Sequence, residues 1–256
     1  MTTIDDRLQQ VRARIALACA QHGRAPASVR LLAVSKTFGP DAVWQAWQAG
    51  QRDFGENYVQ EGAEKICALR TLGASDLVWH FIGPLQSNKT RAVAEQFDWV
   101  HGIDRLKIAQ RLSEQRPPGL GPLQVCIQVN LDGGANKAGV PAAEALALAQ
   151  QVAALPRLQL RGLMCIPEPA PDFAAACRVF GHLALLRGQM QERLDVTVPG
   201  LVLDTLSMGM SDDLEAAIAS GSTLVRVGSA IFGPRAYGAG AGVAASEPAA
   251  ASGKEK

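Results

Sequence analysis

The sequence predicts an α/β fold, a single closed (β/α)8 barrel of the TIM type with an extra helix ahead of the first strand. Three observations predict it. Eight short apolar runs recur along the chain, and every one but the last is followed by a convincing helical pattern. The spacing between runs suits crossover connections, which make successive strands parallel. Eight such units in roughly 250 residues fit a closed barrel better than the alternative, an open doubly wound sheet.

Residues 1–22 set Ile4, Leu8, Val11, Ile15, Leu17 and Ala18 among polar neighbours, with Asp5 and Asp6 near the start. This is an amphipathic helix whose early carboxylates complement the helix dipole, expected to pack on the outside of the remaining domain. Residues 31–36, LLAVSK, form a first strand buried on both faces and stopped by Thr37-Phe38-Gly39-Pro40. Pro40 opens a helix through Val43, Trp44, Ala46 and Trp47, and Gly50 ends it. Residues 53–57 come next as the second strand, with a helix over 58–69. Residues 78–82 form the third strand, terminated by Gly83-Pro84, and 89–97 supply a helix. Residues 99–102 are a weaker fourth strand, with a helix over 106–112. The arginine, proline and glycine cluster at 116–122 is either a domain boundary or a surface loop. Beyond it come a strand at 123–129, a helix at 141–155, a strand at 158–166 and a long helix at 172–194. Strands seven and eight, 203–206 and 224–227, flank a helix at 214–219. The domain is expected to span 1–238, and 239–256, poor in large apolar side chains, to form a disordered tail.

With 256 residues, 48% of them hydrophobic, the chain can bury one sizeable core. A net charge of +1 and a pI near 7.7 give no global field for nucleic acid or an anionic membrane. No positively charged leader precedes an apolar stretch and no apolar run approaches a membrane span, so a cytoplasmic protein is expected. The five cysteines are odd in number and widely separated, without metal-ligand spacing, so no metal site is expected. Cys126 and Cys165, in apolar strand-like runs, are read as buried thiols. Neither Gly-x-Gly-x-x-Gly before the first helix nor a Walker lysine motif is present.

In a closed barrel the strand ends gather at one rim, where this fold places its sites. Lys36 stands at the end of strand one. A partly desolvated amine there has a lowered pKa and can attack an aldehyde to form a Schiff base; the alternative is a lysine that extends its ammonium to solvent. His80, Asn130, Met164 and the Asn57 region also fall at the rim, His80 being at least as well read as a core histidine. Residues 206–213, LSMGMSDD, offer a glycine for an unusual turn, hydroxyls from Ser207 and Ser211, and a helix start that Ser211 can cap. A plain capped turn filled by Met208 and Met210 is the other reading. Arg226 lies within an apolar strand, where its charge must be answered, and Gly228-Ser229 can expose amides to an anion; an ion-paired structural arginine is the alternative. Both segments follow strands seven and eight, the usual phosphate site of barrel enzymes. A strand-one lysine facing a rim anion cup implies an aldehyde-bearing phosphate, and pyridoxal 5'-phosphate is the ordinary molecule of that description.

The motifs VSKT at 34–37, FGENY at 54–58, WHFIGPLQSNK at 79–89, the 207–212 segment and 226–233 resemble the pyridoxal phosphate homeostasis protein family, also called the proline synthetase co-transcribed protein family. The resemblance runs in register from about residue 4 to 238. It implies a barrel like the N-terminal domain of alanine racemase without the second β domain, carrying pyridoxal 5'-phosphate as a covalent aldimine on Lys36. By the same resemblance Ser211, Gly228 and Ser229 match phosphate contacts, with Ser207, Met208 and Gly209 alongside, and Arg226 matches the residue facing the pyridine nitrogen. Ser229 stands where many relatives have threonine and keeps the hydroxyl. Asn57 can bond the cofactor's phenolic oxygen, line the pocket, or serve only its turn. Lys137 lies in a loop after strand five; solvent exposure is its default reading, and exchange of an imine near the rim the alternative.

The function implied is cofactor homeostasis, buffering pyridoxal phosphate or passing it to dependent apoenzymes, without established catalysis. The alternative is a pyridoxal phosphate-dependent racemase or related enzyme on small amino acids. A barrel binding some other phosphate ester is a third class. No heptad seam marks the N-terminal helix, so a monomer is expected over a dimer.

Overall fold

The computed structural model describes residues 2–133 and 138–234. Lys137 and the tail at 239–256 lie outside the described residues. The strands are β1 (Arg30–Val34), β2 (Asp53–Glu56), β3 (Val78–Phe81), β4 (Trp99–Ile103), β5 (Leu123–Asn130), β6 (Leu158–Met164), β7 (Thr205–Ser207) and β8 (Leu224–Val227). All pair in parallel in the order β4-β3-β2-β1-β8-β7-β6-β5, and pairing of β4 with β5 closes the barrel. A two-residue strand, Val140–Pro141, adds to β5 beyond the ring. The expected closed (β/α)8 barrel is what forms.

The helices are α1 (Ile4–Gln21), α2 (Pro40–Gln48), α3 (Val59–Thr71), α4 (Thr90–Gln96), α5 (Leu106–Gln115), α6 (Ala142–Ala153), α7 (Phe173–Thr197), α8 (Leu214–Ala219) and the single turn α9 (Ser229–Phe232). Helix α1 begins with a capping box: Thr3 Oγ1 accepts from Asp6 N–H while Asp6 accepts from Thr3 N–H. Its buried stripe, Leu8, Val11 and Ile15, packs against α2, α8 and α9, covering the outside where β8 meets β1. Each of these side chains contributes on the order of 2 kcal/mol by leaving water. Leu17, counted with that stripe in sequence, is 61% exposed because its position turns away from the barrel.

Alternation along each strand divides the apolar residues into layers. Leu31, Ala33, Phe54, Phe81, Val225 and Val227 face the helices and join the main core. Leu32, Val34, Ile82 and Leu224 form a separate cluster, and Trp99, Cys126 and Met164 another. The 116–122 cluster is a loop fixed to the barrel wall. Arg116 donates to the Ala94 and Phe97 carbonyls at 2.8 and 2.7 Å, and to Gly121 at 2.9 Å.

Three strand limits differ from expectation by two residues: β1 and β6 stop early at the rim, β6 at Met164, and β7 starts late at the opposite end. Strand β1 stops at Val34, two residues before Lys36: Ser35 makes the last bond to Gly55, and Phe38 N–H then turns back onto the Ser35 carbonyl. Strand β7 begins at Thr205 instead of Leu203, because the Leu203 amide donates to the Gln191 side chain of α7 at 2.7 Å.

Candidate functional site at the carboxyl ends of the strands

A cavity of about 230 Å³ opens just beyond the C-terminal strand ends. Lys36, Asn57, Ser211, Arg226, Gly228 and Ser229 share its wall, together with Val34, Ile82, Ile166, Met210 and Asp212. Residues remote in sequence therefore converge through the parallel barrel. A larger cavity, about 650 Å³, lies at the other end of the strands among Arg30, Asp53, Asp204 and Thr223. It lacks a lysine and the glycine-bearing rim turns, so the smaller one has the chemistry anticipated for an aldehyde and an anion.

The turn bearing Lys36 is braced on both sides. Ser35 Oγ donates to Glu56 Oε1 at 2.5 Å, and Lys65 Nζ donates to the Ser35 carbonyl, Glu56 and Glu61 at 2.7, 2.8 and 2.6 Å. Glu61 also accepts the Thr37 amide at 2.5 Å, holding Thr37 at φ 69°, a left-handed conformation costly for a β-branched residue. Lys36, half-buried between them, is placed by main chain fixed at each neighbour. Burial raises the Glu56 carboxyl above the usual range against the opposing charge and hydrogen bond of Lys65. Lys65 and Glu56 were not singled out in sequence. Their signal is an acidic residue at the end of strand two followed nine positions later by a lysine on the inward face of a helix.

Arg226 is 4% exposed, with its guanidinium answered by oxygen atoms. It donates to the Ser207 carbonyl at 2.6 Å, to Ser207 Oγ at 2.9 Å and to the Cys165 carbonyl at 2.9 Å. The ion-pair alternative for this arginine is thus replaced by neutral acceptors. Burial lowers its pKa, yet an arginine keeps its charge at neutral pH.

The two rim turns meet across the cavity. Gly228 lies at φ −115°, an ordinary conformation, so its requirement is one of space: a Cβ there would approach the Val34 carbonyl to 3.2 Å. Helix α9 begins at the next residue, its Ile231 and Phe232 amides donating to the Gly228 carbonyl at 2.9 and 3.0 Å. Gly209 is needed on both counts, with φ 94° and a would-be Cβ only 2.5 Å from Ala217 Cβ. The expected cap at Ser211 is corrected: Asp213 precedes α8, and its side chain turns back to accept the Met210 amide at 2.5 Å.

Ser207, Met208 and Gly209 are not among the residues of the cavity wall. Ser207 sits beneath Arg226, Met208 fills the core, and Gly209 packs on α8. His80, left between core and functional roles in sequence, is fully buried inside the barrel and bonded to His101 and Asp53. The Asn57 side-chain oxygen is buried at the cavity with no hydrogen-bond partner. A buried acceptor left so is costly unless something donates to it. No cluster of metal-ligating side chains occurs among the described residues, and no helix there is long and apolar enough to cross a membrane.

Residues 7–236 match the family described as alanine racemase, N-terminal domain. The pyridoxal phosphate homeostasis protein of Pseudomonas aeruginosa is 56% identical over 239 residues, covering 93% of this chain and 99% of that one. The protein of the same name from Escherichia coli K12 is 52% identical over 237 residues, with the same two coverages. The structure of PipY from Synechococcus elongatus with PLP bound superposes with a TM-score of 0.77 at 37% identity, covering 90% of this chain and all of that one.

Proposed function

The chain belongs to the pyridoxal phosphate homeostasis protein family, built on the alanine racemase N-terminal-domain fold, and from that premise we propose that it binds pyridoxal 5'-phosphate as an imine with Lys36. The observation that carries the proposal is the meeting of Lys36, Arg226 and the Ser211 and Gly228-Ser229 turns at one cavity. The chemistry of this donor set fits the cofactor. Condensation of the Lys36 amine with the aldehyde forms one carbon–nitrogen double bond and releases one water. The serine hydroxyls and rim amides suit the phosphate, and the unsatisfied Asn57 oxygen suits a donor on the cofactor ring.

Arg226, on the wall of this cavity, would face the ring nitrogen. A permanently charged guanidinium disfavours protonation there, where an aspartate would favour it, leaving the ring a weaker electron sink. Such a site suits retention of the cofactor or racemase-type chemistry, and disfavours transamination. The relatives are named for pyridoxal phosphate homeostasis and not for a catalysed reaction. Buffering of the free aldehyde, and release to dependent apoenzymes in the cytoplasm, is the function that fits both. Adding the cofactor to purified protein gives a visible-range imine band that is lost in Lys36→Ala; an unchanged band in the variant overturns the assignment.

A further inference from the structure

A line of hydrogen bonds crosses the barrel interior from the cofactor cavity toward the opposite end. Arg226 donates to Ser207 Oγ at 2.9 Å, Ser207 Oγ lies 2.8 Å from His101 Nδ1, His101 Nε2 lies 2.9 Å from His80 Nδ1, and His80 Nε2 lies 3.0 Å from Asp53 Oδ1. Ser207, His80 and His101 are fully buried. Asp53 alone reaches the large cavity at the N-terminal strand ends, where Arg30 is 3.4 Å away.

The proton order is set at the carboxylate end. An ionised carboxylate only accepts, so His80 Nε2 carries the proton and donates. Neutral His80 then accepts at Nδ1, which requires His101 to donate from Nε2 and accept at Nδ1. Ser207 therefore donates to His101 and offers lone pairs to Arg226, which only donates. The carboxylate alone sets this direction; Arg226 is compatible with either, because the Ser207 oxygen has two lone pairs. Burial lowers the pKa of both imidazoles, the more so for His101, which also faces His80 and Arg226. Asp53 is lowered too, the His80 bond and the Arg30 charge outweighing its burial. The other charges near the line are Asp98, Arg161 and Asp204; Arg30 and Arg161 both lie over the Trp99 ring at 5.2 Å.

We infer that Asp53, His80, His101 and Ser207 form one proton-ordered relay that positions Arg226, so that the charge at the far end of the barrel is transmitted to the cofactor cavity. The order of the relay stands on the chain's own geometry; its consequence for the cofactor rests on the proposed function. These four are positioning residues, since Ser207 meets Arg226 and Asp53 acts only through the histidines.

The test is nitrogen NMR on cofactor-free protein labelled at histidine, with His22 and His182 assigned by substitution. Wild type is expected to show Nε2–H and bare Nδ1 at both His80 and His101. In Asp53→Asn, which removes the charge but keeps the shape, the Nδ1–H form is expected to appear at both histidines together. A purely structural Asp53 would leave His101 unchanged. Nδ1–H at either histidine in wild type, or a change confined to His80 in the variant, overturns the relay. With cofactor added, Asp53→Asn is expected to shift the visible absorption maximum, and Ser207→Ala to abolish that shift. A wild type without a visible band contradicts the proposed function while the histidine result stands by itself; a band that Asp53→Asn leaves unmoved overturns the transmission.

Discussion

Lys65 donates to the main-chain oxygen of Ser35 across 2.7 Å, tying helix α3 to the residue before Lys36. Its ammonium is also the counter-charge of Glu56, whose side chain is fully buried, so the pair is both a brace and an electrostatic obligation. Breaking a buried pair by removing one partner leaves an uncompensated charge, at a cost of about 3 to 5 kcal/mol. Lys65→Met is expected to lose stability of that order in denaturant unfolding, and the further change Glu56→Gln to recover part of it. Equal stability of Lys65→Met and wild type would show that the brace contributes nothing.

Gly83 tests the placement of Asn57 from the far side. A Cβ at Gly83 would lie well inside contact distance of the Asn57 carbonyl, whereas one at Gly119 would meet open space. Gly83→Ala is therefore expected to displace Asn57 and weaken pyridoxal 5'-phosphate binding at least about tenfold, or roughly 1.4 kcal/mol. Gly119→Ala should bind as wild type does. Equilibrium titration measures both, and unaltered affinity in Gly83→Ala would remove Asn57 from the site.

The fold was legible because apolar periodicity and crossover spacing are local properties repeated eight times. The candidate cavity was legible for Lys36, Arg226 and Gly228-Ser229 because charge inside an apolar strand, or glycine at its end, is a local anomaly. Hydrogen bonding between strands was not. His80 and His101 are 21 residues apart, and His101 and Ser207 are 106 apart, so only barrel closure reveals that they touch. Capping at Ser211 misled because Asp213, two residues on, turns its side chain back to the Met210 amide.

The anion cup predicts discrimination between two aldehydes. Charge-assisted hydrogen bonds contribute roughly 1.5 to 3 kcal/mol each, so two of them, discounted for desolvation, leave an affinity ratio for pyridoxal 5'-phosphate over pyridoxal on the order of 100. Ser211→Ala should lower affinity for the phosphate ester and spare pyridoxal. Since Asp213 and not Ser211 occupies the cap position of α8, thermal unfolding should stay unchanged. Equal affinities of wild type for the two ligands would eliminate the cup.

Stability should fall as acid is added below about pH 6.5. His80 and His101 have folded-state pKa values lowered from 6.5, chiefly by burial. Above 6.5 neither folded nor unfolded histidine binds the extra proton, so the full stability is present. Below it the unfolded chain takes up protons that the folded barrel resists, and stability declines by up to about 1.4 kcal/mol per pH unit for each histidine. Urea unfolding at pH 7.5, 6.5 and 5.5 measures the slope. A flat profile from 6.5 to 5.5 would mean that both rings protonate inside the barrel.

The central claim is that Lys36, set by its braced turn at the end of β1, is the amine that holds the cofactor. Borohydride reduction of the protein loaded with pyridoxal 5'-phosphate, followed by proteolysis and peptide mass spectrometry, measures this directly. The account predicts one dominant phosphopyridoxyl adduct on the peptide containing Lys36, absent from Lys36→Ala. A dominant adduct on any other lysine of the wild-type chain would contradict it.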